Sequence, residues 1–179
     1  PYVEQDTYRI ITTERGLKIG LYGGFFQVDV KKVEQAVAEM KRQGAELIVM
    51  AIHWGIEGYY RPNSEQEQLA HQLIDLGVNI VYGSHPHVLQ RVEEYNGGII
   101  YYSLANFSFG GNHFPRDMDT VILRQQVLRQ KDGTVVLGTL TPIPACVSSQ
   151  RPQNDFQPTP YEEGTEDYAR VLQKLELEE

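Results

Sequence analysis

Apolar positions along the chain follow two rhythms that alternate. After Glu46 the run Leu47-Ile48-Val49-Met50-Ala51-Ile52 is apolar without a break, and after Asn79 the shorter run Ile80-Val81-Tyr82 repeats the pattern up to Gly83. Short continuous runs of this kind predict strands covered on both faces, the signature of a parallel sheet. Between them Leu69, Ala70, Leu73, Ile74 and Leu76 recur at helical spacing, Ser64-Glu65-Gln66-Glu67 reads as a capping box, and Gly77 ends the pattern. Strand, helix and strand in succession predict a right-handed βαβ unit. Both strands of such a unit point the same way. The residues that follow them, His53-Trp54-Gly55 and Ser84-His85-Pro86-His87, therefore meet at one carboxyl edge, where open α/β sheets place their ligands.

The flanking segments extend this unit. Residues 8–12 and 17–23 predict a hairpin around Arg15-Gly16, and Gly23-Gly24 predicts a bend before Phe25-Phe26. Asp29 is placed to cap a helix whose stripe is Val30, Val33, Val37 and Met40 and which Gly44 stops. Downstream the period changes to two. Residues 88–94 and 99–103 flank an Asn96-Gly97-Gly98 turn, and 120–129 and 134–143 flank Lys131-Asp132-Gly133, predicting two hairpins. Pro142, Pro144, Pro152, Pro158 and Pro160 predict an extended crossing segment, followed by a last helix over 163–175.

Composition narrows the classes. With 179 residues, 41% hydrophobic and 22% charged, the chain reads as one globular domain able to bury a core. A single cysteine, Cys146, excludes an internal disulfide framework. No run approaches a membrane helix, and Pro1-Tyr2-Val3-Glu4-Gln5 carries no leader pattern. A net charge of −8 argues against a nucleic-acid surface. The acidic residues of 162–179 read as a solvated helix face.

The candidate chemistry lies at the two strand ends. Neutral imidazole is the commonest metal-binding side chain. Proline between His85 and His87 stiffens the pair and restricts the residue before it. His53, His85 and His87 thus form a candidate metal site, for one ion or for two a few ångströms apart. Glu57 is the nearest carboxylate, as a ligand or as a partner that orients an imidazole. Ser84 and His85 are adjacent and no G-x-S-x-G elbow is present, so a serine hydrolase is disfavoured.

The ordered segments His53-Trp54-Gly55-Ile56-Glu57, Gly83-Ser84-His85-Pro86-His87-Val88 and Tyr102-Ser103-Leu104-Ala105-Asn106-Phe107 resemble three successive motifs of the CapA-like family of bacterial capsule, or poly-gamma-glutamate, synthesis proteins. The resemblance runs from about Tyr8 to about Pro144. It implies an α/β class and a metallophosphatase-like α/β/β/α layered sandwich with mixed sheets, related to calcineurin-type phosphoesterases. It implies divalent metal ions, two in a complete domain and of Mn, Zn or Fe type, with His53 and His85 on one and His87 on the other. Glu57, Ser103 and Asn106 would serve as supporting or substrate-binding residues. The implied function is metal-dependent hydrolysis of a phosphoester or related bond, and the alternative is a non-catalytic surface component of polymer synthesis or export. Implied partners are an anionic polymer or phosphoester, with no nucleic acid, on the cell-surface side of a bacterial membrane.

Two departures from the family pattern stand out. Ala105 replaces a glycine, and the early Gly-Asp and Asn-Asn-His segments of the family do not occur before His53. The expected organisation is therefore a carboxyl-terminal portion of the domain over 1–145, then the proline-rich crossing segment and acidic helix over 146–179. The amino-terminal half or a dimer partner would complete the site. Gly111-Asn112-His113 lies after the His-Pro-His pair, the wrong order for a metallophosphatase signature, and reads as a glycine-rich loop from which Arg116 and Asp117 can reach a ligand.

Overall fold

A computed structural model describes residues 7–177. The elements are β1 (Tyr8–Thr12), β2 (Lys18–Phe25), α1 (Val30–Arg42), β3 (Leu47–His53), α2 (Ser64–Asp75), β4 (Ile80–Ser84), β5 (Leu89–Tyr95), β6 (Gly98–Leu104), β7 (Asp119–Arg129), β8 (Val135–Cys146), β9 (Thr159–Pro160) and α3 (Glu166–Leu175). Six strands form one sheet in the order β1-β2-β3-β4-β6-β5, and β7-β8-β9 form another. β2, β3, β4 and β6 run parallel, while β1 and β5 are antiparallel strands at the two edges.

Side-chain alternation divides the parallel strands between two cores. Ile48, Met50 and Ile52 of β3 face one way with Val81, Ile100 and Tyr102, and meet Val33, Val37 and Met40 of α1 and Ala70, Leu73 and Ile74 of α2. Both helices belong to right-handed crossovers that step in one direction, so they cover the same face. Leu47, Ile80, Ile99 and Tyr101 face the other way and meet Leu123, Val127, Leu137 and Leu140 of the second sheet. That sheet supplies the cover that an unbroken apolar run requires. α3 packs against β5 of one sheet and β7 and β8 of the other, with Val171 and Leu175 against Leu89 and Val121. The chain is the mixed α/β layered sandwich that the sequence predicts.

Four local expectations change. The cap of α2 is Asn63, whose Oδ1 accepts from Gln66 N at 2.9 Å while Gln66 Oε1 accepts from Asn63 N at 3.1 Å. The box starts one residue early because Gln66 is buried, its amide also donating to Gln90 Oε1. Gly23 and Gly24 do not bend the chain: β2 continues to Phe25, and a Cβ on Gly24 would lie 2.8 Å from Met50 Cε. Pro142 and Pro144 sit inside β8, paired with Leu123 and Val121. Their missing N–H groups face the side where β9 covers only Ala145 and Cys146, an edge position where proline is tolerated. The last helix begins at Glu166, capped by Thr165, three residues later than its charge pattern suggests.

Two features fix the sheet around its carboxyl edge. Trp54 is buried, stacks on Tyr102 and donates from Nε1 to the Tyr102 carbonyl at 2.9 Å. Gly83 lies beneath this bond. The second feature is Asp119, 2% exposed at the start of β7. Its carboxylate accepts from Arg170 Nε at 2.8 Å and Nη2 at 2.7 Å, from Lys174 Nζ at 2.7 Å and from the Tyr161 hydroxyl at 2.9 Å. Burial alone would raise the carboxyl, but the hydrogen bonds from Arg170 and Lys174 and the lysine's charge outweigh it and hold the group down at about 2.

A Cβ at Gly83 would stand 2.1 Å from the Tyr102 carbonyl oxygen and 2.2 Å from Trp54 Nε1, so Gly83→Ala must part β4 from β6 or break the indole bond. We expect a loss of about 1–3 kcal/mol in urea unfolding followed by the fluorescence of this single tryptophan; an unchanged midpoint would refute the packing argument. The Asp119 network predicts a pH dependence. Its folded-state value lies below that of an unfolded aspartate, so its stabilisation is complete above about pH 4 and disappears as the pH falls through 2. The difference corresponds to about 2 kcal/mol. Asp119→Asn should lower stability at neutral pH and flatten the acid limb, and parallel acid limbs for the two proteins would count against this account.

Candidate metal centre

The strand register assembles the site. Phe25 pairs with His53 and His53 pairs with Ser84, so the ends of β2, β3 and β4 lie side by side. His53 Nδ1 is 3.1 Å from Ser84 Oγ. Beyond Ser84 the chain turns sharply, with His85 at φ 101° and His87 at φ 57°. Proline normally keeps the preceding residue extended, so the conformation of His85 departs from the sequence expectation. The surrounding bonds impose it: Ser84 O accepts from Trp54 N at 3.1 Å and Pro86 O accepts from Gly58 N at 2.8 Å. Of the seven non-glycine residues with positive φ among the described residues, Phe26, His85, His87 and Ala105 belong to this edge. Such residues persist only where the surrounding structure over-determines them, and they cluster at active sites and ligand clamps.

The imidazole rings converge. Ring centroids lie 4.6 Å apart for His53 and His85 and 6.1 Å apart for His85 and His87. Glu57 Oε1 is 3.9 Å from His87 Nε2. Glu57, His85 and His87 each offer a ligand atom within 4.8 Å of the others. His53 stands beside this group, against His85, and is not one of the three.

Asn106 is placed by β6. After Leu104 the chain turns at Ala105, φ 61°, and Asn106 Oδ1 comes 2.7 Å from His87 Nδ1. An amide oxygen only accepts, so His87 donates from Nδ1 to Asn106, and its other ring nitrogen, Nε2, faces Glu57. Ser103 does not reach a ligand. It is fully buried, and its Oγ accepts from Ala105 N at 3.3 Å, acting on the site through the turn that carries Asn106.

Aromatic rings wall the cluster. Phe25 stacks on His53 at 5.0 Å, and Phe26 stands edge-on to His53 at 5.3 Å and to His85 at 4.8 Å. Phe109 lies 5.3 Å from His87. Burial is the leading cause that holds His53 below the ordinary histidine range, helped by the charges of His85 and His87, while Glu57 pulls it the other way. His53 is thus favoured in its neutral, lone-pair-bearing form. The sequence reading treated Phe25-Phe26 only as following a bend. The available signal was an aromatic pair at the carboxyl end of a strand parallel to β3.

The other two histidines lie apart from the cluster. His113 packs edge-on to Phe156 at 5.0 Å. His71 bonds Glu93 Oε1 at 2.8 Å and stacks on Tyr95. Gly111, Asn112 and Arg116 line a groove of about 440 Å³ that also includes Glu57, His87 and Asn106.

The donor set suits a divalent ion. The two imidazoles match borderline cations such as zinc or iron, and the carboxylate also accommodates a harder ion such as manganese. A tetrahedral ion with bonds of about 2.0–2.2 Å spaces its ligand atoms about 3.4 Å apart. The cluster, whose ligand atoms lie within 4.8 Å of one another, needs to close by up to about 1.4 Å to reach that spacing, and the exposed Glu57 side chain has room to do so.

Comparison with known proteins places this geometry. The family described as "Bacterial capsule synthesis protein PGA_cap" matches residues 4–111. The PGA biosynthesis protein CapA of Bacillus subtilis (strain 168) is 40% identical over 98 residues, 55% of this chain and 25% of the relative. The capsule biosynthesis protein CapA of Bacillus anthracis is 37% identical over 108 residues, 60% of this chain and 25% of the relative. The chain therefore spans about a quarter of the length of these curated relatives. Among solved structures, the sulfate thiohydrolase SoxB of Thermus thermophilus superposes with a TM-score of 0.55 over 93% of this chain and 28% of its own, at 14% identity, a likeness of fold alone. That fold is metallophosphatase-like, and the family match over more than half of its length makes this chain a member of the bacterial capsule synthesis proteins.

Proposed function

We propose that this chain carries a divalent-metal centre of the phosphoesterase type and acts in capsule synthesis by hydrolysing a phosphoester or a related bond. The observation that carries the reading is the Glu57, His85 and His87 cluster at the carboxyl edge of the parallel sheet. A bound ion there would supply Lewis acidity and a nucleophile at neutral pH. The chain's own residues do the rest. Asn106 holds the His87 ring, Ser84 holds His53, and Phe25 and Phe26 restrict water on one side.

In this reading His53 joins as a further ligand through its unbonded nitrogen. The acidic ligands of a second ion would come from the amino-terminal half of the domain or from a dimer partner. The site works on the cell-surface side of a bacterial membrane. No helix of the described residues is long and apolar enough to cross one. A second reading, binding of polymer without chemistry, is favoured by Phe109, an exposed aromatic ring that lines the same groove.

Calorimetric titration with Mn²⁺ or Zn²⁺ tests the centre. His85→Ala and His87→Ala should each weaken binding at least about tenfold, a typical loss for a first ligand, or about 1.4 kcal/mol. His113→Ala and His71→Ala should stay near the wild type. Equal losses across all four would remove the assignment. Turnover of a chromogenic phosphate diester only with added metal would favour hydrolysis, whereas tight metal binding with no turnover would favour the binding reading.

A further inference from the structure

The groove beside His87 contains a cation that the metal-centre reading does not use. Arg116 lines it together with Glu57, Asn106, Phe109 and Asn112. Its guanidinium runs close past Gly58: a Cβ there would lie 3.0 Å from Arg116 Nη1. Gly58 has φ 75° and donates its N–H to Pro86 O at 2.8 Å. Arg116 is thereby brought beside the turn that carries both cluster histidines, over a backbone position that has no side chain to obstruct it.

Arg116 lacks a carboxylate partner among the described residues, and it is the arginine that lines the groove beside the cluster. Arg42, Arg91, Arg129, Arg151 and Arg170 each hold a carboxylate. Arg116 forms no hydrogen bond or ion pair with any described residue. The adjacent acid, Asp117, pairs instead with Lys174 Nζ at 2.5 Å, and Asp119 is held by Lys174 and Arg170. The loop around Arg116 is nevertheless fixed. Asn112 Oδ1 accepts from Phe114 N at 2.9 Å, buried Asn154 donates to the carbonyls of His113 and Asn112, and Asp117 Oδ1 accepts from Asp119 N. An arginine on a tethered loop, unpaired and lining a groove, keeps its planar fork of donors for a ligand.

We propose that Arg116 is a positioning residue that anchors an oxyanion in the groove, gripping two oxygens of a phosphate or carboxylate group while the Glu57, His85 and His87 cluster holds the adjoining part of the ligand. The inference rests on the metal-centre reading for what lies at the other end of the groove. The anchor itself requires only the guanidinium and the groove. Glu57 carries the groove's opposing charge, so anion binding should strengthen when a divalent ion offsets it. Lysine is a poor substitute, because it offers a point charge where the fork makes paired bonds.

The test uses this chain, its Arg116→Gln and Arg116→Lys variants, and two probes, inorganic phosphate and glutarate, each titrated with and without Mn²⁺. Arg116→Gln should weaken binding of the preferred probe at least about fivefold, Arg116→Lys should fall between, and Mn²⁺ affinity should stay within about twofold of the wild type. Preference for phosphate or for glutarate identifies the oxyanion source. Wild-type protein that binds neither probe, or Arg116→Gln that binds both as the wild type does, overturns the anchor even if Mn²⁺ binds well. Arg116-dependent anion binding in a protein that takes up no Mn²⁺ would keep the anchor and remove the metal centre.

Discussion

The structure depends on one requirement: a parallel sheet whose central strands are apolar on both faces must be covered on both. Leu47 to Ile52 cannot be solvated on either side, so α1 and α2 take one face and the β7–β8 hairpin takes the other. Once both faces are covered, the ends of the strands are the positions left for function. The register that buries Met50 and Ile52 also sets His53 next to Ser84. A one-residue slip would move both the core and the histidine to wrong positions. Core packing and site geometry are therefore the same constraint seen at two points along β3 and β4.

The carboxyl edge is stiffened by interactions that lie below it. Gly83 admits the indole of Trp54 to the Tyr102 carbonyl, and that contact ties β6 to the chain leaving β3. The next residues depart from comfortable backbone geometry at His85 and His87. A strained turn persists when its surroundings over-determine it. Here the Trp54–Ser84 and Gly58–Pro86 bonds and the amide of Asn106 do so. The imidazoles are consequently held in position by backbone and packing rather than by one another.

Much of this was legible in the sequence because the apolar periodicity changes with each element. The βαβ unit, both later hairpins and the strand-end histidines follow from runs such as Leu47-Ile48-Val49 and from turns such as Asn96-Gly97. What escaped depended on long-range packing. Gly24 looks like a bend until Met50 is seen against it. Ser103 is grouped with Glu57 and Asn106 by its motif until its side chain is found fully buried. Pro142 and Pro144 look like strand breakers until their side of β8 is seen to lack a full partner. Phe25 and Phe26 could be assigned to the site only once β2 was known to run parallel to β3.

The electrostatics of the edge complete the argument. An acidic chain would repel an anion from most of its surface. Yet the groove brings together His87, a single exposed carboxylate in Glu57 and Arg116, which pairs with no acid among the described residues. Where α3 meets β7 the cations are closely paired, Asp119 accepting from Arg170 and Lys174. The difference is one of partner supply: Lys174 satisfies Asp117, and so leaves Arg116 available. The ion-pair network that anchors the last helix thus also determines the charge presented beside the histidines.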